Sequence, residues 1–202
     1  MKPIGVFFAT RQGHAQRVAE HIADTLHARG LETEVRNLRN QSEAVEFDEY
    51  TAIVLTASVH FGIHEYEMTK FVKQNRADLE AIPSAFVSVN LTQAAAEKTA
   101  ATQEQRTNAA AMVDSFLNDF YVKTGWHPQY VKAVAGALAY TKYNFLARFI
   151  MKRIAGKNAG DTDTSHDYVY TNWTALDQFV NQFATALQLT DGPCPTSSSA
   201  RA

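Results

Sequence analysis

Apolar runs that alternate with amphipathic segments organise most of the chain. Four mostly apolar runs and one segment of alternating polarity predict β-strands, because strands covered on both faces of a sheet have few polar positions. Between them, apolar residues recur every three to four positions, as on the buried face of a helix. The predicted strands are residues 4–8, 31–37, 52–58, 85–89 and 131–138, and the predicted helices are 14–28, 65–79, 109–120 and 173–187.

This order of strands and helices predicts one α/β domain with a five-stranded, mostly parallel sheet and helices on both faces. We expect the domain to span residues 1–190 and the Pro/Ser-rich residues 191–202 to form a disordered tail. A short strand is expected at 167–171, and the polar segment 92–107 is interpreted as a loop that leads into the third helix. Because ligands bind such sheets beyond the carboxyl ends of the strands, the loops there carry the candidate chemistry.

Composition and charge exclude several classes of protein. Apolar residues make up 46% and the formal net charge is −2, which is typical of a globular domain and argues against a nucleic-acid partner. The single cysteine, Cys194, permits no internal disulfide, so we expect a reducing compartment. No stretch approaches the ~18 apolar residues that span a bilayer. With no leader pattern before the first strand, the expected location is cytoplasmic, or mitochondrial in a eukaryotic host.

The loop after the first strand has the features of a phosphate-binding turn. It consists of Thr10, Arg11, Gln12, Gly13, His14 and Ala15. It joins a buried strand to a helix, whose N-terminus points N–H groups and a positive dipole end at one spot. Gly13 lets a ligand approach the backbone closely and Thr10 offers a hydroxyl, whereas Arg11 could add charge or point to solvent. The loop matches neither the P-loop nor the dinucleotide pattern, so a plain turn is the alternative.

Several motifs together resemble one group of flavoproteins. The segment FFATRQGHA resembles the phosphate loop of flavodoxins, and ASVHFG, PSAFVSVNL, GALAYTKY and TDT with VYTNW follow it along the chain. The combination covers about residues 1–190 and resembles the menaquinone-dependent protoporphyrinogen IX dehydrogenases of bacterial haem biosynthesis. This resemblance implies a flavodoxin-like fold with strand order 2-1-3-4-5, an insert at about 140–167 that interrupts the fifth strand, and non-covalent FMN.

The resemblance also implies which residues hold FMN. The phosphate would be held by Thr10, Arg11, Gln12, Gly13, His14 and Ala15. One side of the isoalloxazine ring would be lined by Ser58, Val59, His60, Phe61 and Gly62, and the other by Ser88, Val89, Asn90 and Leu91. Ala15 stands where this loop usually has Thr, and the missing hydroxyl is expected to weaken binding by about tenfold at most. Phe61 is expected either to stack on the ring or to pack in the core.

The implied reaction is the oxidation of protoporphyrinogen IX to protoporphyrin IX, with the electrons passing to menaquinone or ubiquinone. The sequence leaves the proton acceptor open among three candidates, His60, Tyr140 and Tyr143. His60 and His64 are four residues apart, but they lie in a predicted loop, so no metal site is predicted. A flavin carries its own redox chemistry, and the protein then supplies orientation and electrostatics.

The insert combines an apolar helical face with positive charge. Apolar residues recur at helical spacing between Phe145 and Ile154, and the basic residues around them include Lys142, Arg148, Lys152 and Arg153. Such a helix can lie on an anionic membrane surface or face the propionates of a porphyrin. The alternative is that it packs on the domain with its lysines in solvent. Peripheral membrane contact is therefore one expectation, and oligomerisation is left open.

Three other functions compete with the dehydrogenase. A flavodoxin-type electron carrier would be strongly acidic around the flavin, which the net charge of −2 and the basic insert argue against. A flavodoxin-like NAD(P)H:quinone reductase is the second alternative, although no nicotinamide motif is visible. An interaction module that has lost FMN is the third, and only Ala15 supports it.

Overall fold

The structure is a computed structural model that describes residues 2–40, 44–138 and 163–190. The strands in these ranges are β1 (Ile4–Ala9), β2 (Thr33–Asn37), β3 (Ala52–His60), β4 (Ile63–His64), β5 (Ser84–Asn90), β6 (Tyr130–Ala135), β7 (Ala137–Leu138) and β8 (Tyr168–Val169). The helices are α1 (His14–His27), α2 (Tyr66–Gln74), α3 (Arg76–Ala81), α4 (Leu91–Glu97), α5 (Gln103–Thr124) and α6 (Trp173–Thr190). None of these helices combines the length and apolar character needed to cross a membrane.

Five parallel strands form the central sheet in the order β2-β1-β3-β5-β6. When only these five are counted along the chain, the order is 2-1-3-4-5, so the predicted topology is confirmed. The short strand β4 pairs antiparallel with the end of β3, and β7 pairs antiparallel with β8 in a separate ladder. The chain moves outward from β1 to β2 and then returns to β3, so the loops after β1 and β3 meet at the switch point of the sheet.

Both faces of the sheet are buried at its centre, which explains why β1, β3 and β5 have so few polar positions. Along β1, Val6 and Phe8 face a core shared with α1 and α6, whereas Phe7 faces a core shared with α2 and α5. All six residues of β1 are buried. Helices on both faces cover a parallel sheet in this way because its crossover connections must return over one face or the other.

One predicted helix, 65–79, is two helices in the structure. Helix α2 ends at Gln74 and α3 begins at Arg76, with Asn75 between them at φ −118° and ψ 25°. The Asn75 side chain donates a hydrogen bond to the carbonyl of Phe71 at 2.8 Å. Asparagine competes for backbone groups in this way and disfavours a continuous helix.

The loop interpretation of 92–107 is wrong for much of its length. Helix α4 occupies Leu91–Glu97, and α5 begins at Gln103, six residues before the predicted start. Asn90 caps α4 by accepting from the N–H of Gln93 at 2.8 Å. A capping box between Thr102 and Gln105 starts α5. These polar residues end or begin helices, which apolar spacing does not reveal.

The chain after β6 differs from the single strand that was predicted there. The predicted strand 131–138 divides at Gly136, and the short strands β7 and β8 lie on either side of the insert. Most of the predicted insert, 140–167, and the predicted tail, 191–202, lie outside the described residues.

Candidate functional site

The candidate site lies at the carboxyl edge of the sheet, where three loops meet. Ala9 at the end of β1 pairs with Ala57 in β3, and Ser58 pairs with Val89 in β5. The register therefore places the loops after β1, β3 and β5 next to one another. The strand order alone predicts this convergence, and the pairing supplies its geometry.

The loop after β1 turns sharply into α1. Gly13 has φ 87°, a left-handed conformation that favours glycine, and its N–H donates to Thr10 Oγ1 at 3.1 Å. No acidic residue lies in the first turn of α1, so the positive end of the helix dipole is not neutralised there. Gln12 and His14 are half-buried, while the side chain of Ala15 is buried in the core beneath the loop. Ala15 can therefore offer an anion only its backbone N–H.

Arg11 reaches across the site to a buried carboxylate. Its Nε donates to Glu65 Oε2 at 2.9 Å, although 59% of the arginine side chain is exposed. The other oxygen, Oε1, accepts from Ser58 Oγ at 3.1 Å and lies 3.1 Å from His60 Nε2. Burial alone would raise the pKa of Glu65, but the adjacent His60 imidazole and the hydrogen-bonded Arg11 guanidinium hold that pKa below its usual value. This contact with Glu65 was not among the orientations expected for Arg11, which were towards a phosphate or into solvent.

The loop after β3 presents an aromatic side chain to solvent. Phe61 is 92% exposed, and its φ of 51° is rare for a residue that is not glycine. The alternative in which Phe61 packs in the core is therefore wrong. Gly62 follows at φ 81°, and Val59 and His60 are half-buried. Strained, exposed residues of this kind are common at ligand-binding loops.

The end of β5 is more deeply buried than its predicted cofactor role suggests. Ser88 is fully buried and Val89 belongs to the core, whereas Leu91 is half-buried. Asn90 is 3% exposed, and its Oδ1 caps α4. Within the described residues its Nδ2 has no hydrogen-bond partner, so one amide donor is left over at the carboxyl edge of the sheet.

His14 is connected to the end of β6 by hydrogen bonds through Thr171. The hydroxyl of Thr171 donates to the carbonyl of Ala135 at 2.6 Å. Because that proton is already committed, Thr171 Oγ1 accepts from His14 Nε2 at 2.7 Å. This chain of hydrogen bonds anchors the start of α1 to the end of β6.

Two residues that were not among the predicted binding or catalytic residues matter here: His64, which the sequence placed in the same loop as His60, and Glu65. His64 is 3% exposed, hydrogen-bonds to Ser88 Oγ at 2.9 Å, and lies against the rings of Phe86 and Phe120. Burial lowers the pKa of His64 to about 4, so it is neutral at neutral pH. Glu65 stands at an N-cap position but makes no capping bond. No sequence signal identifies its role, because Arg11, one of its partners, is 54 residues away.

Other predicted site residues cannot be placed. Tyr140, Tyr143, Lys142, Arg148, Lys152 and Arg153 lie outside the described residues. Among the described residues, no group of three or more His, Cys, Asp or Glu side chains could hold a metal ion.

Comparison with known proteins identifies the family. A family model described as a flavodoxin domain matches residues 5–165. The chain belongs to the flavodoxin domain family. The flavodoxin domain of this chain is similar to two curated relatives, each named "Protoporphyrinogen IX dehydrogenase [quinone]". The Escherichia coli K12 relative is 32% identical, covering 93% of this chain and 96% of its own, and the Leishmania major relative is 35% identical, covering 94% and 78%. The resemblance predicted from the motifs is confirmed.

Solved flavodoxins share the fold of this flavodoxin domain. A short-chain flavodoxin associated with a bacterial microcompartment superposes with a TM-score of 0.52 at 16% identity, covering 95% of this chain and all of that one. A flavodoxin from Pseudomonas aeruginosa gives 0.51 at 14% identity, covering 92% of this chain and 99% of its own. At these identities the likeness supports the fold, and the family supports flavin binding.

Proposed function

We propose that this flavodoxin domain binds FMN and oxidises protoporphyrinogen IX to protoporphyrin IX, with a quinone as electron acceptor, in haem biosynthesis. The observation that carries the proposal is the match over at least 93% of the chain to relatives of that name, at 32% and 35% identity. The two solved flavodoxins described above are only 14% and 16% identical, so they give an electron-carrier function less support.

The loop after β1 fits the phosphate of FMN. Gly13 is already in the left-handed conformation that opens the turn, and α1 begins without an acidic residue in its first turn. The free N–H groups of a helix N-terminus bind phosphate because the charge meets both the donors and the dipole. Thr10 accepts from Gly13, which leaves its own hydroxyl proton available to a phosphate oxygen.

The loops after β3 and β5 fit the flavin ring. Phe61 offers an exposed aromatic face, and Asn90 offers a buried amide donor that has no partner in the described part of the chain. Bound FMN would supply the redox chemistry, taking electrons from the porphyrinogen and releasing them to the quinone. His60, next to Phe61 and held near Glu65, is the described candidate for moving a proton at its Nε2.

A location at the cytoplasmic surface of a membrane follows from the same proposal, because quinones reside in the bilayer. The basic insert is the part of the sequence that would make this contact. Pelleting with vesicles of neutral and anionic lipid tests it. We expect binding that requires anionic lipid and weakens with salt, and recovery of all protein in the supernatant would contradict it.

The activity is tested with purified protein loaded with FMN and freed of excess. Protoporphyrinogen IX is added without oxygen, because it oxidises spontaneously in air, and porphyrin fluorescence is followed with and without menaquinone or ubiquinone. We expect turnover that requires both FMN and a quinone. The matched control is the same protein before FMN is added.

The competing functions give different results when the assay is repeated with NADPH added to a parallel sample. Reduction of the flavin by NADPH with no porphyrin formation would replace the proposal with an NAD(P)H:quinone reductase. A protein that binds FMN but oxidises protoporphyrinogen no faster than free FMN would favour an electron carrier. A protein that takes up no FMN would favour an interaction module.

A further inference from the structure

A buried carboxylate connects the two loops that would hold opposite ends of FMN. The side chain of Glu65 is 2% exposed. It contacts Arg11 in the loop after β1 through Oε2, and Ser58 and His60 at the end of β3 through Oε1. Its own N–H donates to the carbonyl of Ser58 at 3.1 Å, so the backbone around it is fixed as well.

The contact with Arg11 is chemically specific. A buried carboxylate is costly unless a positive charge and hydrogen bonds compensate it, and Arg11 supplies both. The guanidinium is planar, so a bond at Nε fixes the orientation of the whole fork. The two Nη groups lie outside the bond to Glu65, on a side chain that is 59% exposed. Both Nη groups can therefore donate to an anion while Nε remains hydrogen-bonded to Glu65.

We propose that Glu65 is a positioning residue that holds the Arg11 guanidinium at the phosphate-binding loop, so that Arg11 binds the phosphate of FMN. The inference rests on the proposed function, since it requires FMN at this site. In this arrangement the Nη groups of Arg11 donate hydrogen bonds to the phosphate. Glu65 contacts Arg11 and does not contact the flavin. The competing role for Glu65 is a brace that stabilises the loop after β3 through Ser58 and His60.

Riboflavin separates these roles, because it has the ring of FMN and lacks the phosphate. Protein freed of flavin is titrated with FMN and with riboflavin, and the quenching of flavin fluorescence gives Kd for each. The variants are E65Q, R11M and the double variant. The matched control is E80Q, which makes the same chemical change in the exposed Arg76–Glu80 pair on α3. Circular dichroism and thermal unfolding check that each variant folds.

For E65Q we expect FMN to bind about tenfold more weakly, which is the size of one charge-assisted hydrogen bond, while riboflavin stays within about twofold. R11M should show the same FMN-selective loss. The double variant should lose no more than R11M, because Glu65 acts through Arg11. E80Q should bind both ligands as the wild type does. If E65Q does not fold, E65D replaces it, since aspartate keeps the charge but is too short to reach Arg11.

Three results would overturn the inference. An equal loss of FMN and riboflavin affinity in E65Q would make Glu65 a brace. Unchanged or tighter FMN binding would show that its charge does not position Arg11 for the phosphate. Additive losses in the double variant would show that the two residues act independently. These outcomes differ from a failure of the proposed function, in which the wild-type protein itself binds no FMN.

Discussion

At the scale of single residues, Gly62 is a position where the candidate site is sensitive to an added methyl group. It has φ 81°, and a Cβ added there would lie 3.3 Å from Cε1 of Phe116 on α5. We expect Gly62→Ala to lower the free energy of unfolding by more than the ~1–2 kcal/mol that a left-handed L-residue typically costs, because the Phe116 ring must also move. Urea unfolding measures this loss, and titration should show weaker FMN binding.

Gly30 provides the matched control, because it has nearly the same φ of 78° and a Cβ added there would have no atom within 4 Å. Gly30→Ala should show the conformational cost alone and leave FMN binding unchanged. Equal losses of stability in the two variants would show that the Phe116 ring moves aside without lowering the free energy of unfolding.

His64 should make the folded protein sensitive to mild acid. Burial lowers its pKa to about 4, whereas its unperturbed value is 6.5, although Asp119 and Glu65 favour the charged form and Lys123 opposes it. The unfolded chain therefore binds the extra proton as pH falls from 6.5 towards 4. Stability that is fully present above pH 6.5 is lost over this range, by about 3 kcal/mol at most.

The measurement compares urea unfolding of the wild type and His64→Gln between pH 7 and 4.5. The difference between their free energies of unfolding should change with pH, since glutamine can still hydrogen-bond to Ser88 and does not titrate. Exposed His127→Gln is the control and should follow the wild type. Glu65 contributes in a lower window, because its pKa lies below the usual 4.5 and its stabilisation is lost below that pH. Parallel curves for wild type and His64→Gln would rule out the assigned pKa.

At the scale of elements, the strands could be predicted and several helix boundaries could not. The central strands β1, β3 and β5 are buried on both faces for most of their length, and that burial is visible in their sequences as apolar runs. The break at Asn75 and the separate helix α4 depend on single polar side chains that bind backbone groups. Such bonds leave no periodic signal. The same limit applies to the candidate site. Its loops could be predicted from the strand order, but the role of Glu65 depends on a contact with Arg11 that forms only in the folded chain.

The start of α5 allows the contribution of one side-chain-to-backbone hydrogen bond to the free energy of unfolding to be measured. Thr102 accepts from the N–H of Gln105 at 3.2 Å, and the Gln105 side chain accepts from the N–H of Thr102 at 2.9 Å. We expect Thr102→Ala to lower the free energy of unfolding by about 1 kcal/mol, because one N–H of the first turn loses its acceptor. Thr102→Ser keeps the hydroxyl and should lose much less. Urea unfolding compares the two, and the prediction fails if both variants lose the same amount.

At the scale of the whole molecule, a ligand that binds three loops of one sheet edge should stabilise the entire fold, because it binds the folded chain and not the unfolded one. The loops after β1, β3 and β5 belong to strands that pair with one another at the centre of the sheet. FMN at about 100 times its Kd should add ~2.7 kcal/mol to the free energy of unfolding. For a chain of this size that corresponds to a rise in Tm of about 5–10 °C. Riboflavin at the same concentration should raise Tm less, since it leaves the N-terminus of α1 without an anion. Thermal unfolding with each ligand measures both shifts. An equal rise in Tm with the two flavins would show that the phosphate does not contribute to binding. No rise in Tm at any FMN concentration would show that the protein does not bind FMN.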